Sequence, residues 1–441
     1  MNRIGIYDSI RNIRKSYGIF FTPQWVVDFM VQMINKNILQ KKDVLILEPA
    51  CGNMQFLIGI KRNNFSFFKK AKKFALEINE KIVEFIKHQG MTEGVNIINS
   101  DYLLWKNPLL FDLIIGNPPY GIPSLSEHYT IKVDDDTKRK YKEVFTTWYG
   151  KYNVYGAFIE KSIQILKKDG QLIFIIPATF MILDEFKKLR KYLAMNGETT
   201  LIYMGQDVFS PEANVSTVVL NFVKSNSLSQ RLTLFEYNGG KINLVCKYDK
   251  WNGELVLFET PFSKRLNELC SYRLGDVYDI KISPRTPEIK HNPFIVKSYE
   301  KLNGYLPILN GKNLKCKEII YEHITGYWIP KDKVTTLRKF FDTPHLVVGL
   351  GFRKNGRIAV AYDRYCYPWM GDVYHLIRKD LLFSESNLGE DDIVEYLSSN
   401  IIKQYVRDVY KQITYHLSIT QLKILPLPTR NEWKKIKKEL L

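Results

Sequence analysis

Between about residue 24 and residue 222, short apolar runs rich in β-branched residues alternate with segments whose apolar positions recur at helical spacing. That rhythm predicts an α/β sheet wound with helices on both faces. The expected strands are Val44–Glu48, Phe74–Ile78, Asn96–Asn99, Asp112–Gly116, Gln171–Ile176, Leu201–Met204 and Thr217–Phe222. One expected helix runs from Val154 to Lys168, with Ala157, Phe158, Ile163 and Leu166 on its apolar face and Lys167-Lys168-Asp169-Gly170 as its stop. After about residue 256 the rhythm is lost. Short aromatic-rich segments follow, punctuated by Ser283-Pro284, Asn292-Pro293, Asn303-Gly304, Asn310-Gly311 and Thr343-Pro344. The chain therefore divides, as a sequence, into an α/β domain over 1–256 and a mixed α+β domain over 257–441.

At 441 residues there is room for two or three hydrophobic cores. The 64 Lys and Arg outnumber the 46 Asp and Glu by 18, a surplus that points to a polyanionic partner and above all to nucleic acid. It is concentrated: residues 281–357 carry 15 Lys or Arg against 6 Asp or Glu, whereas the remainder of the second half is close to balanced. The basic surface should thus sit on the first half of the second domain. The five cysteines are far apart and form no C-x-x-C pair, so neither a metal site nor a disulfide framework is expected. The first residues lack the apolar core of a signal peptide, and no run approaches the roughly 18 apolar residues of a membrane span. A cytoplasmic protein with reduced thiols is the expectation.

In a wound sheet, ligands bind beyond the carboxyl ends of the strands. Here those ends carry a polar series: Glu48 ends the first strand, Glu77 the second, Asp101 follows the third and Asn117 follows the fourth. An acid after the second strand suits a ribose diol, and one after the third can accept from an adenine amine, so an adenosine-containing cofactor is suggested. The first turn, Glu48-Pro49-Ala50-Cys51-Gly52-Asn53-Met54, has small residues where backbone must approach a ligand, but no Gly-Lys-Ser/Thr of a phosphate loop. Asn117-Pro118-Pro119-Tyr120 is the sharpest feature. Two successive prolines fix φ and remove two N–H donors, leaving a rigid loop rich in acceptors. The Asn117 side-chain oxygen and the Pro118 carbonyl can both accept from one exocyclic amine, and Tyr120 offers a ring for stacking.

These two motifs resemble the cofactor and catalytic motifs of S-adenosyl-L-methionine-dependent DNA N6-adenine methyltransferases. The motif order resembles the gamma class, in which a Thr-Pro element, here Phe20-Phe21-Thr22-Pro23, precedes the cofactor turn and the recognition domain comes last. The resemblance extends over most of the chain, including Lys151-Tyr152-Asn153-Val154-Tyr155-Gly156-Ala157-Phe158, Thr343-Pro344-His345-Leu346-Val347-Val348 and Tyr367-Pro368-Trp369. It implies a Rossmann-like methyltransferase sheet followed by a target-recognition domain. It also implies that Thr22, Glu48, Pro49, Ala50 and Cys51 line the methionine end of the cofactor, that Glu77 holds the ribose and that Asp101 holds the adenine amine. Ile78, Tyr102, Pro119 and Phe158 complete that site. Asn117 and Pro118 would bind the N6 amine of a target adenine, with Tyr120 and Phe209 against the base. Asn53-Met54 departs from the glycine-rich turn common in the class, and Tyr415 stands where one member has proline.

The resemblance implies double-stranded DNA as substrate, a target such as TCGA, a monomer, no metal, and a cognate restriction endonuclease on a separate chain. Arg285, Arg353, Lys354, Arg357 and Tyr415 are the candidate DNA contacts. The segment 121–152 is too long for a passive connection; it leaves two readings open, closure over DNA or cofactor and disorder without DNA. The rival readings are an RNA or protein-glutamine methyltransferase, disfavoured for glutamine by the large basic second half, and a specificity module without chemistry, disfavoured by the intact motifs.

Overall fold

A computed structural model describes residues 22–440 apart from 91–92, 107–108, 125–130, 212–213, 226–229, 338 and 380–387. Phe20 and Phe21 of the Thr-Pro element, and the first residues read for a leader, lie outside the described residues. Two units result, one ending at Leu257 and one beginning at Phe258.

The first unit is built on one mixed sheet: β1 (Leu45–Glu48), β2 (Lys72–Glu77), β3 (Val95–Asn99), β4 (Phe111–Gly116), β5 (Leu166–Pro177), β6 (Gly197–Gly205), β7 (Thr217–Lys224), β8 (Leu232–Asn238) and β9 (Lys241–Tyr248). Their order is β3-β2-β1-β4-β5-β7-β6-β8-β9. The strands β1 to β5 pair in parallel, and β7 runs antiparallel to both of its neighbours. All six positions of β4 are buried, as expected of a central strand whose residues are apolar apart from the paired Asp112. The helices that bear on the site are α1 (Gln24–Gln32), α2 (Gln55–Asn63), α3 (Glu80–His88), α4 (Asp135–Val144) and α5 (Val154–Gln164). Helix α1 can press against α2 because Gly59 has no side chain; a Cβ there would stand 2.5 Å from Val27.

Two expectations need correction. Helix α5 ends at Gln164, not Lys168, and β5 begins at Leu166. Residues Lys167–Gly170 bulge out of the β4–β5 register, because the Lys167 ammonium reaches 2.7 Å to the buried Asp112, which also binds Lys41 and the Leu45 N–H. The apparent helix stop is therefore a strand irregularity with an ion-pair partner. The sheet also extends beyond residue 222 through the hairpin β8–β9, turned at Gly239-Gly240.

In the second unit a four-stranded sheet joins β10 (Tyr278–Ile282), β14 (His345–Phe352), β15 (Ile358–Asp363) and β16 (Val373–Arg378) in the order β10-β16-β14-β15. A smaller sheet of β11 (Val296–Lys297), β12 (Tyr305–Pro307) and β13 (Tyr327–Pro330) carries its own apolar cluster around Ile308, Ile329 and Met370. Strands β14 and β16 are tied by a buried chain: His345 Nδ1 to the Thr343 carbonyl at 2.6 Å, His345 Nε2 to His375 Nδ1 at 2.7 Å, and His375 Nε2 to Ser283 Oγ at 2.8 Å. A carbonyl can only accept, so the proton sits on Nδ1 of each ring and Ser283 donates. Burial holds both imidazoles below their ordinary pKa and hence neutral.

Candidate active site

The strand order reverses between β1 and β4, and a cleft of about 1070 Å³, counted with its open mouth, lies at the carboxyl ends of β1 to β4. Each strand contributes to its walls in turn. After β1 come Glu48, Pro49, Ala50 and Cys51; after β2, Glu77 and Ile78; after β3, Asp101 and Tyr102; after β4, Asn117, Pro118 and Pro119. Thr22 and, from α5, Phe158 close the set. Every cofactor residue expected from the sequence thus faces one cavity.

The turn after β1 has a physical cause for its shape. The Glu48 carboxylate is 1 % exposed and accepts the N–H groups of Phe56 at 3.2 Å and Leu57 at 3.0 Å, capping the first turn of α2. Burial pushes its pKa up to about 8 despite those bonds. Gly52 takes φ +50° and donates its N–H to Glu77 at 3.0 Å. Met54 adopts φ +56° without being glycine. A left-handed residue costs about 1–2 kcal/mol; the Met54 side chain, 1 % exposed, offsets this by filling the core beneath the turn. The departure from the glycine-rich form therefore leaves the turn intact.

Glu77 accepts from Asn79 N–H as well as from Gly52, and burial raises its pKa. Asp101 accepts the Leu103 N–H at 2.9 Å through Oδ1 and the Tyr141 hydroxyl at 2.7 Å through Oδ2. Beside it, the Tyr102 and Phe158 rings lie with centroids 4.9 Å apart, and the Tyr102 hydroxyl is bonded to Ser162 at 2.9 Å. Asn117 donates its side-chain N–H to Thr22 Oγ1 at 3.1 Å. Thr22 is in turn clamped at its backbone by the Gln55 amide, which accepts from its N–H at 3.1 Å and donates to its carbonyl at 3.2 Å.

Tyr120 and Phe209 are brought together, but outside the walls of this cleft. They meet edge to face at 6.2 Å, and the Tyr120 hydroxyl donates to the Ile175 carbonyl at 2.8 Å. Their exposures of 6 % and 4 % mean that protein covers both rings. In the second unit, Arg285 and Lys354 are exposed and Tyr415 is 72 % exposed. Arg353 is not a free cation, because its guanidinium donates to the carbonyls of Gly311, at 3.0 Å, and Leu314. Arg357 donates to Asn400 at 2.8 Å. Sequence reading missed Gln55 and Tyr141. Tyr141 left one trace, as the single aromatic in the charged run Asp134–Glu143.

Residues 30–209 match the Eco57I restriction-modification methylase family, and residues 306–427 match the TaqI-like C-terminal specificity domain. Over 417 residues the chain is 36% identical to the type II methyltransferase M.TthHB8I of Thermus thermophilus, spanning 93% of this chain and 91% of that protein. The chain belongs to the type II restriction-modification methyltransferases. A shorter stretch of this methyltransferase, 216 residues, is 31% identical to M.HincII of Haemophilus influenzae and covers 48% of this chain and 38% of that one. Its fold is shared with a DNA complex of the type ISP restriction-modification enzyme LlaGI, at a TM-score of 0.55 and 14% identity over 95% of this chain and 46% of that one. MmeI, a type IIL restriction-modification enzyme solved with DNA, gives 0.54 and 12% over 94% and 67%. The methyltransferase-like α/β fold with its large mixed sheet and C-terminal specificity domain is the architecture expected from the sequence, and fold and family imply S-adenosyl-L-methionine as the methyl donor. Among the described residues no helix is long and apolar enough to cross a membrane.

Proposed function

We propose that this methyltransferase transfers the methyl group of S-adenosyl-L-methionine to N6 of an adenine rotated out of duplex DNA, with TCGA as its target. The donor set of the cleft suits that cofactor. Glu77 and Asp101 offer carboxylate acceptors at two neighbouring strand ends, for ribose hydroxyls and for an adenine amine. Ile78, Tyr102 and Phe158 supply apolar surface, Pro119 lies beside them, and Thr22 with the Glu48–Cys51 turn faces the methionine end. When bound, the cofactor supplies a methyl group activated on a sulfonium.

The remaining work falls to the protein. An aromatic amine is a poor nucleophile because its lone pair is delocalised into the ring. Two acceptors, Asn117 Oδ1 and the Pro118 carbonyl, draw its hydrogens and favour a tetrahedral nitrogen without any basic residue. The observation that carries this reading is the Thr22–Asn117 bond, which orients the carboxamide at the wall that also bears Glu77 and Asp101. The proton released after transfer passes to water. Rotating the base out costs a few kcal/mol of unstacking, and stacking of the base against Tyr120 and Phe209 returns part of that, at about 1–3 kcal/mol per stacked base. Arg285, Lys354, Arg357 and Tyr415 are assigned to the DNA surface. The chain acts as a monomer, with cleavage left to a separately encoded restriction endonuclease.

The test is methylation of a TCGA duplex with radiolabelled cofactor, followed by nucleoside analysis. N6-methyladenine should form in TCGA only, and Asn117→Ala should lower turnover at least ~100-fold with cofactor affinity retained. Methyl groups on cytosine, or wild-type turnover by the variant, would overturn the assignment.

A further inference from the structure

Helix α4 is an unusual helix for its position. Of Asp135–Val144 only Tyr141 is buried, whereas an amphipathic helix packed on a core normally buries several residues in two turns. Its neighbours in sequence explain how it is held. Beyond its C-terminus the Glu160 carboxylate, fully buried on α5, accepts four hydrogen bonds from the N–H and hydroxyl groups of Thr146 and Thr147. The Tyr141 ring lies 6.0 Å from Trp148, which lies 5.3 Å from Tyr152. So the helix is fastened at its end, and its one inward residue is spent on the cleft.

That residue ends on Asp101 Oδ2 at 2.7 Å, while Oδ1 is held by the Leu103 N–H. Burial and the Asp101 charge raise the Tyr141 pKa far above its ordinary value, so the phenol keeps its proton and is the donor. A carboxylate oxygen has two lone-pair sites, so Oδ2 can accept from Tyr141 and from one further donor in the cleft. With both oxygens fixed, the carboxylate cannot rotate to suit a different ligand edge.

We infer that Tyr141 is a positioning residue: it fixes the Asp101 carboxylate as an acceptor-only edge and thereby sets the preference for a 6-amino purine over a 6-oxo purine in the cofactor. This rests on the cofactor reading proposed above. Hypoxanthine presents a carbonyl where adenine presents an amine, and a carbonyl facing a fixed carboxylate is repelled.

The test is calorimetric binding of S-adenosylhomocysteine and S-inosylhomocysteine to the full chain, wild type and Tyr141→Phe. Wild type should prefer the adenosyl compound by ~100-fold or more, and Tyr141→Phe, which keeps the ring and its packing, should reduce that preference to about tenfold or less. A purely structural role weakens both ligands alike and leaves the ratio unchanged; an unchanged ratio overturns the inference while the cofactor reading stands. Wild type that binds both equally also overturns it, because Asp101 then reads no amine. Wild type that binds neither refutes the cofactor reading and the inference with it. Asp101→Asn, which removes the carboxylate, should lose the preference whatever stands at 141.

Discussion

Thr22→Val tests the orientation of Asn117 most directly, because it removes one oxygen and little else. Thr22 is 2 % exposed and valine has the same shape, so the packing around the side chain is kept. The Gln55 clamp acts on the Thr22 backbone and survives the change. What is lost is the 3.1 Å bond from Asn117 Nδ2. A neutral hydrogen bond contributes about 1 kcal/mol net. If that energy serves to hold the carboxamide in its reactive orientation, the chemical step slows by about fivefold. Single-turnover methylation of a duplex, with enzyme in excess, reads this step apart from product release. Cofactor affinity, measured separately, should shift far less than the rate. Thr22→Ser keeps the hydroxyl and should stay within about twofold of wild type. If the Val and Ser variants methylate at the same rate, the hydroxyl does not position Asn117 and the argument fails.

Glu48 makes the stability of the chain depend on pH. Its folded pKa of about 8 lies above the ordinary 4.5, so the folded state holds this proton more tightly. The two states differ in protonation only between these values, and stability should fall by about 1.4 kcal/mol per pH unit as pH rises through that window. Glu48→Gln, which does not titrate, should remove that slope, read as the difference in Tm between variant and wild type at pH 5, 6, 7 and 8; a constant difference refutes the assignment. In the second unit, Lys354→Ala should weaken DNA binding and reduce the salt dependence of log K by about 0.9. Arg353→Ala should instead lower Tm, because the carbonyls of Gly311 and Leu314 lose their donor; a DNA defect with unchanged Tm would reverse these roles.

The strand-end series was legible because the α/β rhythm places each polar residue by chain position alone. Glu48 and Glu77 end their strands while Asp101 and Asn117 follow theirs, and parallel pairing then places all four at one end of the sheet. The Pro-Pro loop was legible for a similar reason, since its rigidity is covalent. The hairpin β8–β9 was not, although Lys241–Tyr248 alternates polar and apolar residues, because the strand is largely exposed and lies outside the rhythm that marks the wound sheet.

Local covalent and periodic constraints thus determined which residues reach the cleft. What they do once there was decided by contacts between distant segments: Thr22 meets Asn117 across 95 residues, Tyr141 meets Asp101 across 40, and Arg353 turns to carbonyls 39 and 42 residues away. A hydrogen-bond donor in a sequence is uncommitted until packing brings an acceptor to it. Only the folded chain fixes whether a phenol stacks, a guanidinium binds phosphate, or a carboxylate is already occupied.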